Sequence, residues 1–164
     1  MTRASHALSD EATRLQHALD LAYRHLGRRD RTVLELRRHL EARRVEPAAI
    51  EAALAELARQ GYLDDERYAR AFAEDRRTLD GWGPERIARR LAQAGIEPRL
   101  IEAVAAPDPQ GDLEAALELL RGKLREAPED ARGRERALGL LVRRGYELET
   151  AYDAVRAFCG SAAR

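Results

Sequence analysis

Apolar residues follow helical spacing along nearly the whole chain. Leu15, Leu19, Ala22, Tyr23 and Leu26 form one stripe, Ile50, Leu54 and Leu57 another, and Leu113, Leu117 and Leu120 a third. A longer rhythm overlies these stripes. Leu40 stands five residues before Val45, Leu91 five before Ile96 and Leu141 five before Tyr146, and the three copies lie about 50 residues apart. Four residues upstream of the leucines the register holds Leu36, Ile87 and Ala137, and ten downstream Ile50, Ile101 and Ala151. A period of this size predicts stacked helical units, which bury their stripes only against neighbours. The expected architecture is all-α, with essentially no strand: three tandem three-helix repeats forming an elongated, curved solenoid.

Stop and start residues divide the chain accordingly. Ser9, followed by Asp10 and Glu11, is placed to cap a first helix that runs to Gly27. Thr32 with Glu35 forms a capping box, Pro47 opens a third helix and Gly61 closes it. Asp64 caps a fourth helix, Gly81 to Gly83 breaks it, Pro84 starts a fifth, Gly95 ends that one, and Pro98 starts a sixth. Pro107, Pro109 and Gly111 are the strongest punctuation, and a polar loop, APEDARGR, interrupts the last third of the chain. Nine helices are expected. They fall into an N-terminal extension with a first repeat (1–61), a second repeat (62–106) and a third (107–164).

Composition sharpens this reading: 45% hydrophobic, 35% charged and 5% aromatic residues describe a globular helical chain. The single cysteine, Cys159, excludes a disulfide framework and a cysteine-based zinc site. No apolar run approaches the roughly 20 residues of a membrane span, and the opening residues lack a signal peptide's apolar core. A cytoplasmic location is expected.

The zero net charge conceals an alternation in phase with the repeat. It is about +5 from Arg24 to Arg44 and −5 from Val45 to Glu66, then about +3 to Ala94, −5 to Glu118, +4 from Arg121 to Arg144 and −3 from Gly145 to Asp153. Solvated helices are charged in any case, but three repetitions in phase favour a basic stripe on the middle helices and an acidic back on the third. Arg37, Arg38, Arg43, Arg44, Arg86, Arg89, Arg90, Arg136, Arg143 and Arg144 are its candidate members.

No catalytic constellation is legible. His6, His17, His25 and His39 lack metal-ligand spacing, nothing partners Cys159, and Gly81-Trp82-Gly83 is too short for a nucleotide loop. Neither an enzyme nor a cofactor is expected. PERIARRLAQAGIEPRLIEAVAA has the rhythm of a helix-turn-helix, yet its would-be reading helix offers one strong base donor, Arg99, beside Glu102. The equivalent helix of the first repeat carries Glu51 and Glu56, poor company for phosphates.

At GYLDDERYARAFAEDRRTLDGWGPERIARRLAQAGIEPRLI the chain strongly resembles the RecX family of recombinase regulators. The resemblance rests on the run from Leu63 to Ala69, on Phe72, Arg76 and Gly83, and on the Arg86, Leu91, Gly95, Ile96 series. LAYRHLGRRDRTVLELRRHLEARRVEPAAIEAALAELARQGYLDD looks like the family's first unit, so the likeness covers roughly Ala18 to Phe158. It implies a regulator that binds the RecA recombinase, mainly its filament on single-stranded DNA. Such a regulator lodges in the filament groove and damps strand exchange, ATP hydrolysis and coprotease activity without catalysis of its own. Weak direct DNA binding and a monomeric state go with that reading. The alternatives are a nonspecific single-strand binder, for which stacking aromatics are few, and a helix-turn-helix-like DNA regulator.

Where the family often has glycine after the second helix of the first unit, this chain has Arg44, so a left-handed stop there needs a non-glycine residue or a different turn. In LDDERYARAF, Asp64 is expected to cap while Tyr68 and Phe72 pack inward; a RecA contact is the alternative. Trp82 is either a half-buried plug or an exposed anchor for a partner.

Overall fold

The computed structural model describes the backbone of residues 3–161 and the side chains of residues 10–160. Every regular element among them is a helix: α1 (Arg3–Leu26), α2 (Val33–Ala42), α3 (Pro47–Arg59), α4 (Asp65–Thr78), α5 (Pro84–Gln93), α6 (Pro98–Ala105), α7 (Pro109–Lys123), α8 (Ala131–Arg144) and α9 (Leu148–Ser161). None of these helices is long and apolar enough to cross a membrane.

Local chemistry sets most of the boundaries. The Thr32 hydroxyl accepts from Glu35 N–H at 3.1 Å while the Glu35 carboxylate accepts from Thr32 N–H, completing the capping box of α2. Pro47, Pro98 and Pro109 occupy first-turn positions of α3, α6 and α7, where a missing N–H costs nothing. Asp64 accepts from Arg67 N–H at 2.8 Å at the start of α4.

The leucine register proves to be a helix stop. Val45 N–H reaches back to Leu40 O (3.2 Å) and Arg44 N–H to Glu41 O (2.8 Å); Tyr146 N–H reaches Leu141 O (3.2 Å) and Gly145 N–H reaches Val142 O (3.0 Å). This is the Schellman pairing, which needs a left-handed residue just before the second apolar position. Gly95 (φ 82°) and Gly145 (φ 91°) supply it, and in the first copy Arg44 adopts φ 59°. The leucines themselves, Leu40, Leu91 and Leu141, are fully buried.

Two boundaries differ from the sequence expectation. Helix α1 begins at Arg3 and takes in Ser9, because Ala4, Ala7 and Leu8 are good helix formers and extend the helix through it. The side chains of Ser9 and His6 lie outside the described residues. The loop APEDARGR is half helix: Asp130 caps α8 by accepting from Gly133 N–H at 2.7 Å, so residues 131–134 form its opening.

The chain packs as two compact units. The first comprises the residues up to Tyr68 together with Ala94–Ile96. Its core joins Ala18, Leu19 and Ala22 of α1, Leu36 and Leu40 of α2, Ile50, Ala53, Leu54 and Leu57 of α3, and Leu63. The second unit comprises Ala69–Gln93 and the residues from Glu97 on. There α7, α8 and α9 enclose Ala116, Leu120, Ala137, Leu141, Tyr146, Ala154 and Phe158. Burial pushes the Tyr146 hydroxyl up to about 12, with Asp112 adding to the effect.

Candidate partner-binding surface

In the second unit the basic helices α5 and α8 meet end to end. Gly83 N–H donates to Arg144 O at 2.8 Å and Glu85 N–H to Gly145 O at 3.1 Å, so the orphan donors opening α5 are met by the orphan acceptors closing α8. The approach leaves no room for side chains at the contact. A Cβ on Gly83 would lie 2.4 Å from Gly145 O, and one on Gly145 2.4 Å from Arg86 Cβ.

The first unit repeats the device. The Thr32 hydroxyl, at the start of α2, donates to Ala94 O at 2.6 Å, and a Cβ on Gly95 would lie 2.5 Å from the Leu34 side chain. A third element joins this contact, since Val33 N–H donates to the Asp65 carboxylate at 3.0 Å. The LDDER run is therefore built into the scaffold: Leu63 is buried, Asp64 caps α4, Asp65 holds the start of α2, and the Arg67 guanidinium donates to Gly61 O at 2.9 Å.

The candidate arginines divide by what they already touch. Arg37 forms a two-point ion pair with Glu51 of α3; that bond holds the Arg37 guanidinium above its ordinary pKa and the Glu51 carboxyl below its own. Arg86 donates to Arg143 O at 3.2 Å with its guanidinium 4.0 Å from the Trp82 ring centroid. Arg144 donates to Asp80 O, and Arg90 to the Gln93 side chain at 2.9 Å. Arg38, Arg43, Arg44, Arg89, Arg136 and Arg143 are exposed, and among the described residues none of them forms an ion pair. Arg37, Arg86 and Arg144 thus brace helices or turns, the exposed Arg90 bonds only within its own helix, and the other six point charges at solvent.

Trp82 is half-buried rather than presented to solvent. Arg86 covers its ring, Phe72 of α4 meets it edge to face at 6.1 Å, and Arg76 lies 5.6 Å from it while also pairing with Asp80. Cation–π contact on this half-buried ring gives it a packing role between α4 and α5.

Sequence reasoning missed one arrangement. His25 at the end of α1 and His39 on α2 stack with ring centroids 3.7 Å apart and planes 15° from parallel. Their separation in sequence carries no signal of this, because only the packing of α1 on α2 brings the rings together.

Residues 18–57 match the profile of the RecX first three-helix domain and residues 64–104 that of the RecX second three-helix domain. The Regulatory protein RecX of Xanthomonas campestris pv. campestris (strain B100) is 37% identical over 138 residues, covering 84% of this chain and 82% of that protein. This chain belongs to the RecX family. The Regulatory protein RecX of Mycolicibacterium smegmatis is 33% identical over 153 residues, with coverages of 89% and 81%. Among solved structures, RecX from Lactobacillus salivarius superposes with a TM-score of 0.77 at 17% identity, covering 90% of this chain and 97% of that one. Another regulatory protein RecX superposes with a TM-score of 0.78 at 21% identity, covering 96% and 78%. The tandem three-helix fold of this RecX-family regulator is thus shared with crystal structures of its relatives.

Proposed function

We propose that this chain is a non-catalytic negative regulator of RecA. It binds the RecA filament on single-stranded DNA, lies in its groove, and holds back strand exchange, ATP hydrolysis and coprotease activity. Membership of the RecX family is the observation that carries this reading. Six exposed arginines support it, since guanidinium forks suit both phosphates and carboxylates on a RecA surface. Each repeat (1–61, 62–106, 107–164) acts as one binding module, so that a single cytoplasmic monomer bridges neighbouring RecA subunits and opposes their movement. Trp82 serves that surface by packing between α4 and α5, with Arg86 over its ring, rather than as an anchor.

The test is ATP hydrolysis by the same organism's RecA on single-stranded DNA, titrated with this protein, beside its binding to that DNA without RecA. Hydrolysis is expected to fall at protein levels well below RecA, with only weak, salt-sensitive binding to DNA alone. Unchanged hydrolysis with tight DNA binding would instead identify a nucleic-acid binder.

A further inference from the structure

The stacked histidines sit among several arginines of the first unit. Arg31 and Arg29 lie near His25, and Arg43, Arg31 and Arg28 near His39. Glu35 is the acid beside His25, and it is already engaged by Arg29 at 3.1 Å and by Thr32 N–H. Burial, the partner ring and the arginines all hold His25 below its ordinary pKa; burial and the arginines do the same for His39. The Arg31 Nε is sequestered from solvent and has no hydrogen-bond partner, which leaves the outer nitrogens of this half-buried side chain to meet an acceptor from outside. A buried donor without an acceptor is costly, and here it stands among cations.

We infer that this corner, formed by Arg31 with the His25–His39 stack and flanked by Arg28 and Arg43, is a nucleic-acid phosphodiester site that takes up a proton when it is filled. A phosphodiester at the outer guanidinium nitrogens of Arg31 places a negative charge beside imidazoles whose affinity for a proton burial and the arginines otherwise hold down. Two stacked imidazolium rings repel, so one proton is shared by the pair. The phosphodiester stays ionised throughout the range, so the proton comes from solvent and binding tightens as pH falls. Closely spaced phosphates along a strand engage several of these cations together, which isolated carboxylates on flexible side chains do not.

The assay is fluorescence anisotropy of the full chain with a labelled oligothymidylate, at pH 7.5 and 6.0 and fixed ionic strength, with no RecA present. It therefore stands or falls separately from the RecA reading. Wild-type affinity should rise at least about threefold at the lower pH, within the roughly tenfold per pH unit that one linked proton permits. R31A should lose about fivefold or more at pH 6.0, with a shallower salt dependence. H25Q/H39Q should remove the pH step while leaving affinity at pH 7.5 within about twofold of wild type. If R31A does not fold, R28A/R43A, which alters two exposed residues, decides the point in its place. Wild-type binding by these arginine variants would overturn the site, as would a pH step that survives in H25Q/H39Q. Displacement of the oligonucleotide by polyglutamate as readily as by unlabelled oligonucleotide would overturn its assignment to nucleic acid.

Discussion

Gly145 and Arg44 hold the same place in the repeated register, both left-handed and both just before the apolar residue that closes a Schellman turn. Their surroundings differ. The start of α5 packs directly against Gly145, whereas Arg44 is exposed. A side chain at 145 therefore meets both the backbone penalty of a left-handed L-residue, about 1–2 kcal/mol, and a 2.4 Å clash with Arg86. Gly145→Ala should lose more than that penalty alone in urea unfolding. Arg44→Gly relieves the same backbone strain but gives the unfolded chain more freedom, so the two effects offset to within about 1 kcal/mol. A Gly145→Ala loss no larger than the left-handed penalty of about 1–2 kcal/mol would mean that backbone strain, not the docking of α5, decides the choice of glycine.

At the scale of an element, the start of α2 shows what sequence conveys and what it leaves out. The capping box was legible because Thr32 and Glu35 are three residues apart and their bonds depend on nothing else; Pro47 and Pro98 were legible for the same reason. The partners that hold this helix in place were not. Ala94 lies 62 residues from Thr32 and Asp65 lies 32 from Val33, and their bonds exist only once the turn at Ala94 and the start of α4 have packed against α2. The Arg37–Glu51 pair was hidden likewise: composition placed Arg37 in a basic stripe and Glu51 on an acidic back, but α2 and α3 face each other there. Because the fully buried Thr32 hydroxyl both accepts from Glu35 and donates to Ala94, Thr32→Ala removes a cap and a long-range bond together. The expected loss is about 2–4 kcal/mol by chemical denaturation. Thr32→Ser keeps the hydroxyl and should lose less than about 1.5 kcal/mol. A serine variant as unstable as the alanine one would assign the effect to the buried methyl group.

For the whole molecule, the division among the arginines separates stability from binding. Arg86 and Arg144 spend their donors on Arg143 O and Asp80 O, while Arg38, Arg89 and Arg136 stand in solvent. A charge already bonded to the scaffold has less to offer a partner, and its removal leaves a carbonyl unmet. Hence R38A/R89A/R136A should keep the wild-type melting temperature to within about 2 °C, since exposed substitutions away from such contacts cost little. It should need several-fold more protein to inhibit RecA ATP hydrolysis, and the salt dependence of that inhibition should flatten if the lost contacts are to phosphates. R86A/R144A should show the reverse order, with a lowered melting temperature preceding any loss of inhibition. Were the triple variant to inhibit at wild-type concentrations, the exposed arginines would no longer account for filament binding. The contact would then have to be sought on the acidic helices α3 and α6, whose carboxylates require a basic face on RecA rather than DNA.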